Sequence, residues 1–337
     1  MCWRETSKTG GEIMNISVLA KSAAILAATV AITGSAHAQS NWPEKPVHIV
    51  VPYSAGGNND RIARTLSEPM SKSLGVPVVV ENRAGAGGTV ATGEVANEDP
   101  DGYTVVMCEI GTMAINPHVY SNLTYDPVAD FDPVIQITSV PLVLGVGDKL
   151  GVSTIDEFLE TARNADPEID FASSGVGSAQ HLAFEQLKKQ AGFEALQIPY
   201  NGAAPARTAL ISGEVGAFLD GTLIPSIQDG EVTALAVTGS NRLEALPDVP
   251  TFEEAGVDGV DFTSWHGFCV PAGTDPEIVG ALNKATNDAI AENDVKSRFA
   301  ALNIGLVGGT PAEFTAFIEE QYEALGQLVE ETGASQQ

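Results

Sequence analysis

The sequence predicts an α/β fold of two domains joined by two crossover strands, with a ligand cleft between them. Three observations carry this prediction. Short apolar runs alternate with amphipathic stretches of about 8–15 residues, a pattern of α/β units with mainly parallel sheets. Two extended segments, 132–146 and 262–271, take the chain from one half to the other and back. Beyond Pro276 the pattern turns largely helical. Two crossings imply a discontinuous first domain, 39–138 with 263–337, wrapped around a continuous second one, 139–262. Strand linkers of this kind allow a modest hinge, and open parallel sheets bind ligands beyond the carboxyl ends of their strands.

In chain order, strands are expected at 47–52, 78–80, 103–107, 142–146, 170–172, 196–198, 216–219 and 234–237, where β-branched and apolar residues cluster. Helices are expected at 60–73, 155–164, 178–191, 204–212 and 223–229, followed by 276–293, 294–302 and 311–331. Pro276 and Pro311 stand at helix starts, where the missing N–H costs nothing. No repeat of fixed period and no low-complexity linker interrupts this order.

Ahead of the first strand, Lys21, an apolar run over 23–32 and Ala36-His37-Ala38 spell an export signal with cleavage after Ala38. The run is too short for a membrane span. Residues 1–13 make an odd, polar leader, and Met14 is the more natural start. The signal carries three bases and two acids, so the formal charge of −27 becomes about −28 on its removal. Such a surface repels nucleic acid and anionic membranes. Cys108 and Cys269 each end an apolar run, and buried free thiols are favoured over a disulfide between them. No cofactor or metal is indicated, since neither C-x-x-C nor a His/Cys/Asp ligand spacing occurs.

The first strand runs into Tyr53, Ser54, Ala55, Gly56 and Gly57, then Asn58, Asn59 and Asp60, where a helix begins. The glycines let a ligand approach the backbone, one of Asn58, Asn59 and Asp60 caps the helix, and the free N–H groups make an anion cradle. An ordinary strand–helix turn has the same composition. The stretch lacks the G-K-[ST] ending of a phosphate-binding loop. A counterpart follows the strand at 170–172, with Ser173, Ser174 and Ser178 preceding His181. A serine nucleophile with His181 as base is the enzyme reading; the absence of G-x-S-x-G disfavours it. The glycines from Gly85 to Gly88 do not form G-x-G-x-x-G and suit a closely packed helix start. Thr112, Tyr200, Asn201 and Asp220 also lie near strand ends, Asp220 either binding a ligand donor or capping a helix. Trp265, on the returning crossover, either walls the cleft or belongs to the core.

Several motifs occur in one order: Trp42-Pro43-Glu44-Lys45-Pro46, 52–60, 80–88, Asp99-Pro100-Asp101-Gly102-Tyr103-Thr104 and Ile115-Asn116-Pro117. Gly175-Val176-Gly177-Ser178 with His181, Pro199-Tyr200-Asn201-Gly202 and 246–251 follow. Together they resemble the Bug (TctC-like) extracytoplasmic solute receptors of tripartite tricarboxylate transporters, over essentially the whole mature chain. The resemblance implies a type II periplasmic-binding-protein-like fold and a non-enzymatic receptor that closes on a small carboxylate in the periplasm. It implies that the loop 53–60 holds the carboxylate, with Ser173, Ser174 and Ser178 facing it. The partners implied are the large and small membrane subunits of such a transporter, with a monomeric receptor; a sensory receptor handing the same acid to a signalling protein is the alternative. Asn59 stands where relatives commonly carry threonine, which alters the contacts expected next to the carboxylate.

Overall fold

The computed structural model describes residues 42–334, so the export signal, Ala38 and Met14 lie outside the described residues. From Pro43 onward the chain forms one compact unit built on two mixed sheets.

Apart from the half-buried His48, the first strand, β1 (Val47–Val51), is apolar and buried on both faces, as suits a central strand between helices. It pairs in parallel with β2 (Val78–Asn82) and β3 (Thr104–Glu109). Between β1 and β2 runs α1 (Asn58–Leu74), whose Ile62, Ala63, Leu66 and Met70 recur at helical spacing and pack inward. It stops at Gly75, whose φ of 73° is the left-handed cap conformation. A short α2 (Thr89–Val95) follows β2, and a π turn (Gly111–Ile115) with α3 (Asn116–Val119) follows β3.

The long β4 (Phe131–Pro141) then leads directly into β5 (Val143–Val146) of the second sheet. There α4 (Ile155–Asn164), β6 (Ile169–Ser173), α5 (Ala179–Ala191), β7 (Ala195–Pro199), α6 (Ala203–Ile211), β8 (Ala217–Leu219), α7 (Ile224–Gln228) and β9 (Thr233–Val237) follow in turn. The return strand β10 (Thr263–Pro271) lies antiparallel to β4, with Thr263 opposite Pro141 and Pro271 opposite Phe131. Three helices close the chain: α8 (Pro276–Ala291), α9 (Asn293–Ala301) and α10 (Pro311–Thr332), with β11 (Gly305–Leu306) before the last.

The first sheet has the order β11-β4-β10-β3-β1-β2 and the second β7-β6-β8-β5-β9. The expectation of mainly parallel sheets is therefore corrected. A chain that leaves one sheet along β4 and returns beside it along β10 must run antiparallel there, and β5 runs antiparallel to both neighbours. One apolar core runs through both halves, from Val106 and Met113 to Phe171, Phe184 and Phe314. Phe171 and Phe184 stack at 3.9 Å between ring centroids. The second sheet's other face packs on α6 through Ala206, Leu210 and Phe218.

Cys108 and Cys269 form a disulfide rather than two free thiols, their Cα atoms 5.8 Å apart. The reason is the topology: β3 and β10 are adjacent antiparallel strands, with Cys108 opposite Gly267 and Cys269 opposite Val106. Sequence spacing held no sign of that pairing, because 161 residues separate the two.

Candidate functional site

The carboxyl end of β1 and the start of α1 form one wall of a small cavity. Gly57 is the N-cap of α1, with φ −78° and ψ 176°, and no side chain caps the helix. The expectation that one of Asn58, Asn59 and Asp60 caps it is corrected. Asp60 accepts the Gly56 N–H at 2.9 Å and the Arg64 Nε–H at 2.8 Å, so it folds the loop. Asn58 and Asn59 are already helical. The first turn of α1 thus keeps its N–H groups and the positive end of its dipole turned toward the cavity, the arrangement that receives an anion. Asn59 Oδ1 and Ser54 Oγ are buried without a hydrogen-bond partner.

Glu109, the last residue of β3, is buried in the same wall. Its Oε1 accepts the Thr112 N–H at 2.8 Å and its Oε2 accepts the Gly111 N–H at 2.9 Å. The Tyr53 hydroxyl lies 3.0 Å from both Glu109 Oε1 and the Gly87 carbonyl. Burial pushes the Glu109 carboxyl up from its ordinary range, against the pull of these donors. Burial, then the adjacent Glu109, raises the Tyr53 phenol.

The second sheet with its helices, the second lobe, supplies Ser174, Ala179, Gln180, Ala203 and Asp220, and the first sheet with its helices makes the first lobe. Asp220 caps the short 3₁₀ turn Gly221–Leu223, accepting the Thr222 N–H and hydroxyl, and Gln180 Nε2 donates to its other oxygen. Burial raises its carboxyl as well. The join of β4 and β5 contributes Leu142, and the return strand β10 contributes Ser264 and His266. His266 Nδ1 meets the Thr138 hydroxyl at 2.9 Å, and burial pushes its imidazole down to about 3, which keeps it neutral. Among the described residues, no lysine or arginine lines the cavity. Its volume is ≈ 20 Å³, room for about one water.

Among the residues singled out in the sequence, the structure gathers Tyr53, Gly57, Asn59, Ser174 and Asp220 around this cavity. Ala55 is exposed, while Ser54 and Gly56 sit in the loop at the join of the lobes: the Ser54 N–H donates to the Asn201 carbonyl at 3.0 Å. Thr112 stands behind Glu109. Ser173 is turned to Gly175 and Gln197, and Ser178 is the N-cap of α5, accepting the His181 N–H. Tyr200 points away, its hydroxyl donating to Glu214 at 3.0 Å. Trp265 packs edge-on against Phe314 and Phe317. Alternation along β10 explains this placement, since Ser264 and His266 take the cavity face and Trp265 the other. His181 Nδ1 accepts the Gly177 N–H at 3.2 Å, and burial lowers its imidazole to about 4. It is held within its own turn and does not reach a serine hydroxyl.

Asn58 belongs to the loop 53–60 expected to hold the carboxylate, while Glu109, Gln180, Ser264 and His266 were not foreseen. For Glu109 a signal existed: a lone acid ending an apolar strand, followed by Gly111, at the carboxyl edge where such sheets bind ligands.

A family model described as the tripartite tricarboxylate transporter family receptor matches residues 62–334. The chain belongs to that family. It is 33% identical over 324 residues to the protein BugT of Bordetella pertussis, covering 95% of this chain and 99% of BugT. Two solved relatives share the fold. A protein of R. palustris solved with adipate is 32% identical, with a TM-score of 0.83 over 87% of this chain and 99% of its own. MatC from Rhodopseudomonas palustris, solved with bound malate, is 31% identical, with a TM-score of 0.81 over 86% and 100%.

Proposed function

We propose that this member of the family is a periplasmic receptor that captures a small organic acid between its two lobes and hands it to the large and small membrane subunits of a tripartite tricarboxylate-type transporter. The observation that carries the reading is the uncapped first turn of α1, opening into a buried cavity shared by both lobes. The ligand carboxylate takes the place of the missing cap, on the N–H groups of Asn58, Asn59 and Asp60. Charge-assisted bonds to such donors are worth on the order of 1.5–3 kcal/mol each. Relatives solved with adipate and malate support an acid as the ligand.

On this reading, residues 39–138 with 263–337 act as one domain and 139–262 as the other, hinged at the paired strands β4 and β10. A one-water cavity admits no organic acid, so the lobes part for entry and the lining re-forms around the ligand. The receptor acts as a monomer without a cofactor and performs no catalysis. The serine–histidine alternative fits the geometry poorly, since Ser173 and Ser178 each serve a local turn. A fluorophosphonate probe is accordingly expected to label no serine.

Calorimetry against mono-, di- and tricarboxylates, with amino acids and aromatic acids in the panel, tests the reading. Saturable heat with at least one acid is expected. No heat and no thermal shift with any of them would contradict it.

A further inference from the structure

The cavity that serves an anion already holds two carboxyl groups and no lysine or arginine. These two acids differ in their surroundings. Asp220 feels Arg207, which donates to the Thr222 carbonyl at 3.2 Å, and it also lies in the field of Arg61. Among the described residues, no lysine or arginine is bonded to the Glu109 carboxylate. Its neighbours are Tyr53 from the loop after β1, the Gly111 and Thr112 N–H groups, Tyr125, the neutral His266 of β10, and Asp220 across the cavity. Asp60, the remaining acid of the α1 turn, is engaged with Arg64.

Resting on the receptor reading above, we infer that Glu109 takes up one proton from solvent when a ligand carboxylate enters the cavity, so that the acid is bound as anion plus proton. Two ionised carboxylates in one desolvated space repel strongly, and such pairs relieve the repulsion by retaining a proton. The local hydrogen bonds accommodate the change. With Glu109 ionised, the single hydrogen of the Tyr53 hydroxyl serves Oε1. With Glu109 protonated, that hydrogen turns to the Gly87 carbonyl, also 3.0 Å away. Oε2 accepts only the Gly111 N–H, which leaves it a lone pair for the proton. The first-turn N–H groups of α1 and the protonated carboxyl are then all donors toward the ligand.

The test is calorimetry above pH 7 with malate, with adipate and with every other acid of the panel above, repeated in buffers of different ionisation heat. The wild type is expected to take up about one proton per ligand, and its affinity to rise up to about tenfold for each pH unit lowered. Glu109→Gln is expected to bind without proton uptake and without that pH dependence. Binding with no uptake in the wild type would overturn the inference while leaving the receptor reading intact, and so would uptake unchanged in the variant. No heat with any acid would contradict the receptor reading and the inference together. Should the variant fail to fold, difference infrared spectroscopy of the wild type with ¹³C-carboxylate ligand decides. A new unlabelled protonated-carboxyl band supports the inference, and its absence at saturation overturns it.

Discussion

Gly57 occupies a helix N-cap, where serine or aspartate would ordinarily satisfy the first-turn N–H groups. Its backbone already has the extended conformation of a capping residue, and a Cβ built on it meets Ala203 Cβ at an ordinary 3.7 Å. Gly57→Asp should therefore fold, and by capping α1 should stabilise the free protein by a few tenths of a kcal/mol. The same carboxylate would sit where the ligand's does, so affinity should fall tenfold or more. Denaturant titration and calorimetry together check both halves. His266 offers a second test. Its folded pKa of about 3 lies below the ordinary 6.5, so the unfolded chain binds the extra proton between those values. Stability from this group is full above pH 6.5 and declines as pH falls toward 3, by up to about 1.4 kcal/mol per unit. His266→Gln should flatten that decline in thermal melts across the same window. At this scale the sequence was partly legible. The glycines of the α1 turn announced close backbone approach, while Ser173, Ser178 and Tyr200 were indistinguishable by composition from groups that face a cleft. Their hydrogen bonds to Gly175, His181 and Glu214 turn them elsewhere.

Most strands and helices follow from apolar spacing, and they occur along the chain in the expected order. What periodicity does not reveal is strand direction. The crossing strands β4 and β10 read as plain extended runs, yet their antiparallel pairing makes both sheets mixed and brings Cys108 to Cys269. That disulfide closes a loop of 161 residues, so in the chain-entropy account reduction or paired serine substitution should cost about 2–5 kcal/mol. Denaturant unfolding with and without reductant measures it. The disulfide ties the strand that ends in Glu109 to the strand that carries Ser264 and His266.

As a whole, the molecule closes on itself through small residues. A Cβ on Gly87 of the first lobe would stand 2.1 Å from the Val176 carbonyl oxygen of the second, and Gly87 has a φ of 61°. The glycine cluster before α2 is thus a place of close approach between lobes. Gly87→Ala should hold the lobes apart, enlarging the radius of gyration in small-angle scattering and weakening acid binding. An unchanged radius with full affinity would exclude that role. The net charge of −27 repels an incoming anion at long range, so capture depends on short-range donors. The central claim is that those donors are the backbone N–H groups at the start of α1. The most direct measurement is a ¹H–¹⁵N NMR titration with an acid that gives calorimetric heat. The amides of Asn58, Asn59 and Asp60 should move downfield in proportion to occupancy. Saturated binding with those three amides unmoved would contradict the claim.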